Sequence, residues 1–257
     1  MWRLRDNGFQ PWHHGRGALA TSMEVVVLDI AGKWVLLTGA SRGVGRQVAG
    51  ALADKGCHLI LQSRSLDHTA PLVAELKARG LTIHALAAEL SDQKQVVALG
   101  REALRISGGI DILYNDAAVM APYHEDIFVA EASEYALSFQ VNTVAPITLC
   151  NLMLPGMIER KFGRVVNVTS GIKDQPQLMA YAASKAALDK YVYDMAPHLE
   201  GTGVSMNLLD PGWLRTDLGG DQAPNAVESV LPGALVPVLV GDGTCGKWFS
   251  AQDYSRQ

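Results

Sequence analysis

Cysteine is scarce in this sequence. Cys57, Cys150 and Cys245 are the three cysteines among 257 residues, and they lie far apart. That spacing excludes a paired disulfide framework and a C-x-x-C metal site. The expectation is buried apolar thiols in a reducing, cytoplasmic setting. Charge is also thin. Lys, Arg, Asp and Glu make up 19% of the residues, with a net charge of −4 and a pI near 6.0. A chain of that balance carries no footprint for nucleic acid or an anionic membrane. No uninterrupted apolar run reaches the roughly 18 residues of a spanning helix. The runs near Val25 and Val35 have the length of strands. The adjacent His13 and His14 have no third metal ligand nearby.

What is present is apolar content: 48% of the residues are hydrophobic, enough to bury a large core. The length fits one α/β domain, at the upper end for a single fold. Residues 1–22 mix Trp, Arg, His, Gly and Pro without a helical or strand period and lack the apolar stretch of a secretory signal. They read as a mobile extension before a fold that begins near Met23 and continues as one domain to residue 257.

From Met23 onward short β-rich runs alternate with helical stretches, the pattern of βαβ units and a parallel sheet. Strands are predicted at Trp34 to Thr38, His58 to Gln62, Thr82 to Ala87, Asp111 to Tyr114, Arg164 to Val168, Val204 to Leu209 and Lys247 to Phe249. Helices are predicted at Gly45 to Lys55, Thr69 to Arg79, from a Ser91 cap to Ile106, Glu131 to Ile158, and Tyr181 to Glu200. Gly56 and Gly80 close the first two helices.

The first strand runs straight into Thr38-Gly39-Ala40-Ser41-Arg42-Gly43-Val44-Gly45 and then a helix. Glycines let backbone approach a phosphate closely, and a helix start offers free N–H donors and a positive dipole end. At the end of the second strand, Gln62-Ser63-Arg64-Ser65 contains no acid. A carboxylate there would hold a ribose 2′-hydroxyl and repel a 2′-phosphate. Ser63 can donate to that phosphate, and Arg64 and Arg42 can pair with it, so NADP(H) is expected rather than NAD(H). Further on, Tyr181 and Lys185 stand four apart near a helix start, hence on one face. Ser170 follows the fifth strand, at the carboxyl edge where ligands bind in open α/β sheets.

The G-x-x-x-G-x-G spacing after Thr38, with Tyr181-Ala182-Ala183-Ser184-Lys185, resembles the short-chain dehydrogenase/reductase family, and the resemblance covers nearly all of Met23 to Phe249. It implies a doubly wound, Rossmann-type α/β three-layer sandwich with a mainly parallel sheet of about seven strands. It implies Asn142, Ser170, Tyr181 and Lys185 as one catalytic unit. Tyr181 would be the general acid in reduction, Lys185 would lower its pKa and hold the nicotinamide ribose, Ser170 would stabilise charge on the substrate oxygen, and Asn142 would hold a relay water. Gly39, Ser41, Arg42, Gly43, Val44 and Gly45 would cradle the phosphates. Asp210-Pro211-Gly212-Trp213-Leu214-Arg215-Thr216 would hold the nicotinamide, with Pro211, Gly212, Leu214 and Thr216 in contact. Asn115-Asp116-Ala117-Ala118 would border the adenine ribose through Asn115 and Ala117, and Glu89-Leu90 would contact adenine.

Three departures from the family pattern stand out: Asp116 for Asn, Ala118 for Gly and Glu89 for Asp. Leu178, Met179, Trp213 and Leu218 would make an apolar substrate wall suited to an uncharged carbonyl. A small-molecule carbonyl reductase is the first expectation. A 3-oxoacyl-[acyl-carrier-protein] reductase is the second, its acidic partner calling for a basic patch to which Arg160 and Lys161 could contribute. Sugar or polyol dehydrogenation follows. The alternative of another class is a protein that senses NADP(H) or scaffolds without turnover. The resemblance also implies a homodimer or homotetramer joined through the helices at 131–158 and 181–200.

Overall fold

The structure, a computed structural model, describes residues 27–255. The N-terminal extension and the His13–His14 pair lie outside the described residues. Seven strands form one all-parallel sheet: β1 (Trp34–Thr38), β2 (His58–Ser63), β3 (Ile83–Ala87), β4 (Ile112–Asn115), β5 (Gly163–Val168), β6 (Val204–Asp210) and β7 (Trp248–Ser250). Their order is β3-β2-β1-β4-β5-β6-β7. The connections therefore wind outward in both directions from the β1–β4 junction, which is the switch point where α/β sheets open a ligand crevice. This is a Rossmann-type α/β fold.

The helices are α1 (Gly43–Asp54), α2 (Leu66–Ala78), α3 (Gln93–Ser107), α4 (Ala132–Phe139), α5 (Ala145–Glu159), α6 (Met179–Leu199) and the short α7 (Val236–Leu239). Strands covered on both faces need apolar side chains at successive positions rather than alternate ones. Val35, Leu36 and Leu37 of β1 and Leu59, Ile60 and Leu61 of β2 are all fully buried. Odd and even positions divide between two cores. Val35, Leu37, Leu59 and Leu61 pack with Val48 and Leu52 of α1 and Leu72 and Leu76 of α2. Leu36 and Ile60 pack with Leu99 of α3, Met153 of α5 and Val192 of α6.

The predicted elements are present in the predicted order, with differences at several ends. The α3 cap is Asp92, not Ser91: its Oδ1 accepts from the Lys94 N–H at 2.8 Å and from the Gln95 N–H. Asp has the reach and charge to serve two first-turn donors, which Ser one position earlier cannot meet. The expected helix at Glu131 to Ile158 is one continuous 28-residue run, Ala132–Glu159, interrupted by a π turn at Gln140–Val144. By length and composition it is apolar enough to cross a membrane, although no uninterrupted apolar run in the sequence is. Its buried residues, among them Leu149, Cys150, Met153 and Met157, pack in the core beside α3 and the sheet.

Candidate active site

The carboxyl edge of the sheet is organised by a polar row. Thr38, Asn115 and Asn167 are register partners across β1, β4 and β5. Thr38 Oγ1 accepts from the backbone N–H groups of Asp116 and Ala117 at 3.1 and 3.2 Å, pinning the β4 turn to the end of β1. Asn115 Nδ2 donates to Asn167 Oδ1 at 2.9 Å. The Asn115 side chain is buried within the sheet, its Nδ2 committed to Asn167.

Next to this row lies the glycine turn. Gly39 has φ +72°, and a Cβ there would sit 2.8 Å from Ala117 Cα, so the two turns touch backbone to backbone. Gly45 begins the second half of the first turn of α1. A Cβ on it would stand 2.3 Å from Gly39 O and 2.7 Å from Asp116 Oδ2. The residue at the N-cap, Arg42, is extended and makes no side-chain cap. Among the described residues the N–H groups of Gly43 and Val44 take no protein acceptor. Uncapped donors at a helix start, with a cradle that a Cβ would fill, fit a diphosphate.

The residue that fixes this turn from behind is Gln62, which the sequence reading did not single out. Its Oε1 accepts from the Gly39 N–H at 3.0 Å, its Nε2 donates to Ala88 O at 2.8 Å, and its carbonyl accepts from the Ala40 N–H. A polar residue within an otherwise apolar buried strand was the available signal.

The cations expected for a 2′-phosphate are at the surface beside the turn. Arg64 is exposed and makes no ion pair among the described residues. Arg42 is exposed and paired with Asp217 at 2.5 Å, an ion pair that a cofactor phosphate would have to compete with. Ser63 differs from expectation: it is buried, and its hydroxyl donates to Ser65 O at 2.6 Å, so that proton is already committed. Glu89 Oε1 accepts from the Ser91 N–H, and Leu90 is a core residue with its side chain turned inward.

On the other side of the crevice, α6 carries Tyr181 and Lys185, both buried. Ser170 stands near enough to the Tyr181 hydroxyl to lower its pKa, and Ser170 Oγ accepts from the Ile172 N–H at 3.2 Å. Lys185 Nζ donates to Val168 O at 2.7 Å and lies 5.8 Å from the Tyr181 ring centre. Asn142 sits in the π turn, a local widening that recurs at functional sites. Its Nδ2 donates to Val119 O and Ser184 Oγ, and its Oδ1 accepts from the Val119 N–H. The side chain therefore ties the loop after β4 to α6 and has no free donor left for a water.

The electrostatics depart from the expectation that Lys185 lowers the tyrosine. Burial pushes the Tyr181 phenol up to about 12, the Ser170 bond pulls it down, and Asp210, Asp116 and Asp189 push it up again. Burial and three carboxylates in range together favour the protonated form. Burial likewise drags Lys185 down to about 8, opposed by Asp116 and Asp189. Asp116 keeps some solvent contact but is walled in closely, which raises its carboxyl to about 7 despite Lys185 and the Gly45 N–H it accepts.

The turn after β6 closes the crevice. Asp210 Oδ1 accepts from the Gly212 N–H, and its carboxylate also accepts from Gly171, joining this turn to the Ser170 loop. Pro211 O is held by Gln252, Leu214 is buried, and Thr216 Cγ2 stands 3.6 Å from the Cβ position of Gly43, directly across from the glycine turn. Met179, Trp213 and Leu218 are exposed around the opening rather than packed in the core. Arg160 and Lys161 precede β5 and so lie at the amino edge of the sheet, with Arg160 Nη2 bonded to Ile110 O. They cannot flank the mouth, because the strand length separates the two edges.

A glycine turn at the switch point faces a buried Tyr–Lys pair and a serine across the carboxyl edge, an arrangement of the dinucleotide-fold class. Residues 33–226 match the family model for short chain dehydrogenases, and the chain belongs to the short-chain dehydrogenase/reductase family. It is 34% identical to a short chain dehydrogenase of Pseudocercospora fijiensis over 205 residues, 77% of this chain and 65% of that protein. It is 36% identical to the ketoacyl reductase HetN of Nostoc sp. over 187 residues, 72% of this chain and 64% of that one. The chain thus spans slightly less than two thirds of the length of these relatives. A crystal structure of a 3-oxoacyl (acyl-carrier-protein) reductase from Agrobacterium tumefaciens with NADP bound superposes with a TM-score of 0.79 at 25% identity, covering 90% of this chain and 97% of that one.

Proposed function

We propose that this chain is an NADP(H)-dependent reductase that converts an uncharged small-molecule ketone or aldehyde to its alcohol, with Tyr181 as general acid. The observation that carries this reading is the buried Tyr181–Lys185 pair on one face of α6, beside Ser170 on the crevice that the glycine turn borders. When bound, the cofactor supplies the hydride for the carbonyl carbon. Tyr181 gives its proton to the carbonyl oxygen, and Ser170 donates a hydrogen bond to the same oxygen as negative charge develops there. The Lys185 ammonium, one helical turn from Tyr181, would hold the nicotinamide ribose. Asn142 keeps α6 and the Val119 loop in register, which fixes where Tyr181 stands.

Exposed Arg42 and Arg64 beside the turn, with no acid closing β2, favour the 2′-phosphorylated cofactor. The exposed rim of Met179, Trp213 and Leu218 suits an uncharged substrate. Leu137, Val144 and Ile158 are exposed along Ala132–Glu159 and are apolar positions that a homodimer or homotetramer would cover.

Similarity to HetN and to the Agrobacterium enzyme favours a second reading, reduction of a 3-oxoacyl thioester on acyl carrier protein. Exposed Lys173 on the Ser170 loop is a cation at the correct edge for an acidic carrier. NADPH oxidation against a panel of ketones, aldehydes and a 3-oxoacyl thioester separates the two. Turnover of free carbonyls supports the first reading, and activity confined to the thioester supports the second.

A further inference from the structure

We infer that Asp189 is a positioning residue of this active site: its carboxylate supplies the fixed negative charge that keeps the buried Lys185 ammonium protonated. The inference rests on the reading above that Lys185 works as a cation. Tyr181, Lys185 and Asp189 are spaced four apart on α6, so they form one row down a single face. The row is anchored at its lower end. Thr169 Oγ1 donates to Asp189 Oδ1, and Thr169 stands one residue before Ser170. Asp189 therefore holds a defined position against the strand end that carries the catalytic serine.

Lys185 needs such a partner. The residue is 3% exposed, and among the described residues its one side-chain hydrogen bond is the 2.7 Å donation to Val168 O. An ammonium has three donors, and a neutral carbonyl does not compensate for lost hydration. Two carboxylates face it: Asp116 from the β4 turn and Asp189 from its own helix. Asp116 has the larger effect on Lys185 but also accepts from Gly45 and so belongs to the glycine turn. Asp189 stands one turn along the same helix face and is fixed there by its bond from Thr169. Tyr181 and Tyr193 are the remaining titratable groups in its field, and both are neutral there because burial and nearby carboxylates raise them.

Two substitutions separate charge from packing. Asp189→Asn removes the charge and leaves an oxygen to accept from Thr169. Thr169→Val removes the hydrogen bond and leaves the charge. The first readout is the 13C shift of the Lys185 ε-carbon, titrated in cofactor-free protein labelled with 13C-lysine and assigned through Lys185→Arg. Asp189→Asn is expected to lower the Lys185 midpoint by about one pH unit or more, the usual effect of deleting a close opposite charge. Thr169→Val is expected to move it far less. In turnover, the alkaline limb of kcat/KM should shift to lower pH with Asp189→Asn by the same amount. An unchanged midpoint in Asp189→Asn, or an equal shift in both variants, overturns the inference. If Asp189→Asn does not fold, Asp189→Ser carries the same readout. Because the titration needs no substrate, a protein that turns over no carbonyl would refute the proposed function while leaving this test intact.

Discussion

Gln62 receives the Gly39 N–H on its side-chain oxygen at 3.0 Å, so the second strand, and not the glycine turn itself, holds the first glycine in place. The nitrogen of the same side-chain amide donates a hydrogen bond to Ala88 O at the end of β3. One buried side chain thus joins three neighbouring strand ends on the cofactor side of the crevice.

Gln62→Leu should strand the Gly39 N–H and Ala88 O in a dry interior. The expected cost is about 1–3 kcal/mol of stability for unpaired buried groups. Urea unfolding reads that loss, and NADPH titration should show weaker binding at the same time, because the turn loses its backing.

Gly45→Ala places a methyl carbon 2.3 Å from Gly39 O, closer than real Cβ contacts come. Backbone cannot yield there as a flexible side chain would. Loss of NADPH binding with a lowered melting temperature is expected. Gly50→Ala, in the same helix with open space around its Cβ position, should bind as wild type and raise stability slightly.

Arg64→Ala should weaken NADPH and leave NADH nearly unchanged. A hydrogen-bonded charge pair of about 1.5–3 kcal/mol corresponds to roughly a 10- to 150-fold loss. Asp217→Asn should act in the opposite direction, since it releases Arg42 from its exposed ion pair. Side-by-side calorimetry with both nucleotides checks each change.

Asp116 carries a pH signature in stability. Its folded pKa, near 7, is above the ordinary carboxylate value of 3.8, so the folded protein binds the proton more tightly than the unfolded chain. That contribution is complete below about pH 4 and is lost as pH rises toward 7. Lys185 is lowered to about 8 from 10.5, and its contribution is the reverse, recovering as pH rises from 8 toward 10.5. Asp116→Asn should therefore flatten the fall in unfolding free energy between pH 4 and 7. A variant whose slope in that window matches wild type would show that Asp116 is not the titrating group.

Much of this was legible in the sequence because it depends on local pattern. Continuous apolar runs such as Trp34–Thr38 and His58–Ser63 marked strands buried on both faces, and the glycine spacing marked the tight turn between β1 and α1. The Tyr181–Lys185 face followed from helical periodicity alone. What was not legible depends on contacts between distant segments. Nothing local to Gln62 reveals that it meets Gly39 and Ala88, and nothing local to Asp189 reveals Thr169. The π turn around Asn142 escapes a 3.6-residue period, and the high phenol pKa comes first from burial and then from carboxylates brought together from the turn after β4, from α6 and from the end of β6. Arg160 and Lys161 look basic in sequence, yet strand direction sets them at the wrong edge.

The most direct test of the central claim is tryptophan-quenching titration with NADPH and NADH, followed by NADPH oxidation with a carbonyl panel, on wild type and Tyr181→Phe in parallel. The account predicts that wild type binds NADPH the more tightly and consumes it with at least one carbonyl. Tyr181→Phe should bind NADPH equally well and lose turnover by about a hundredfold or more, the scale of a missing general acid. Equal turnover by the two proteins, or NADPH binding without any turnover by wild type, would contradict it.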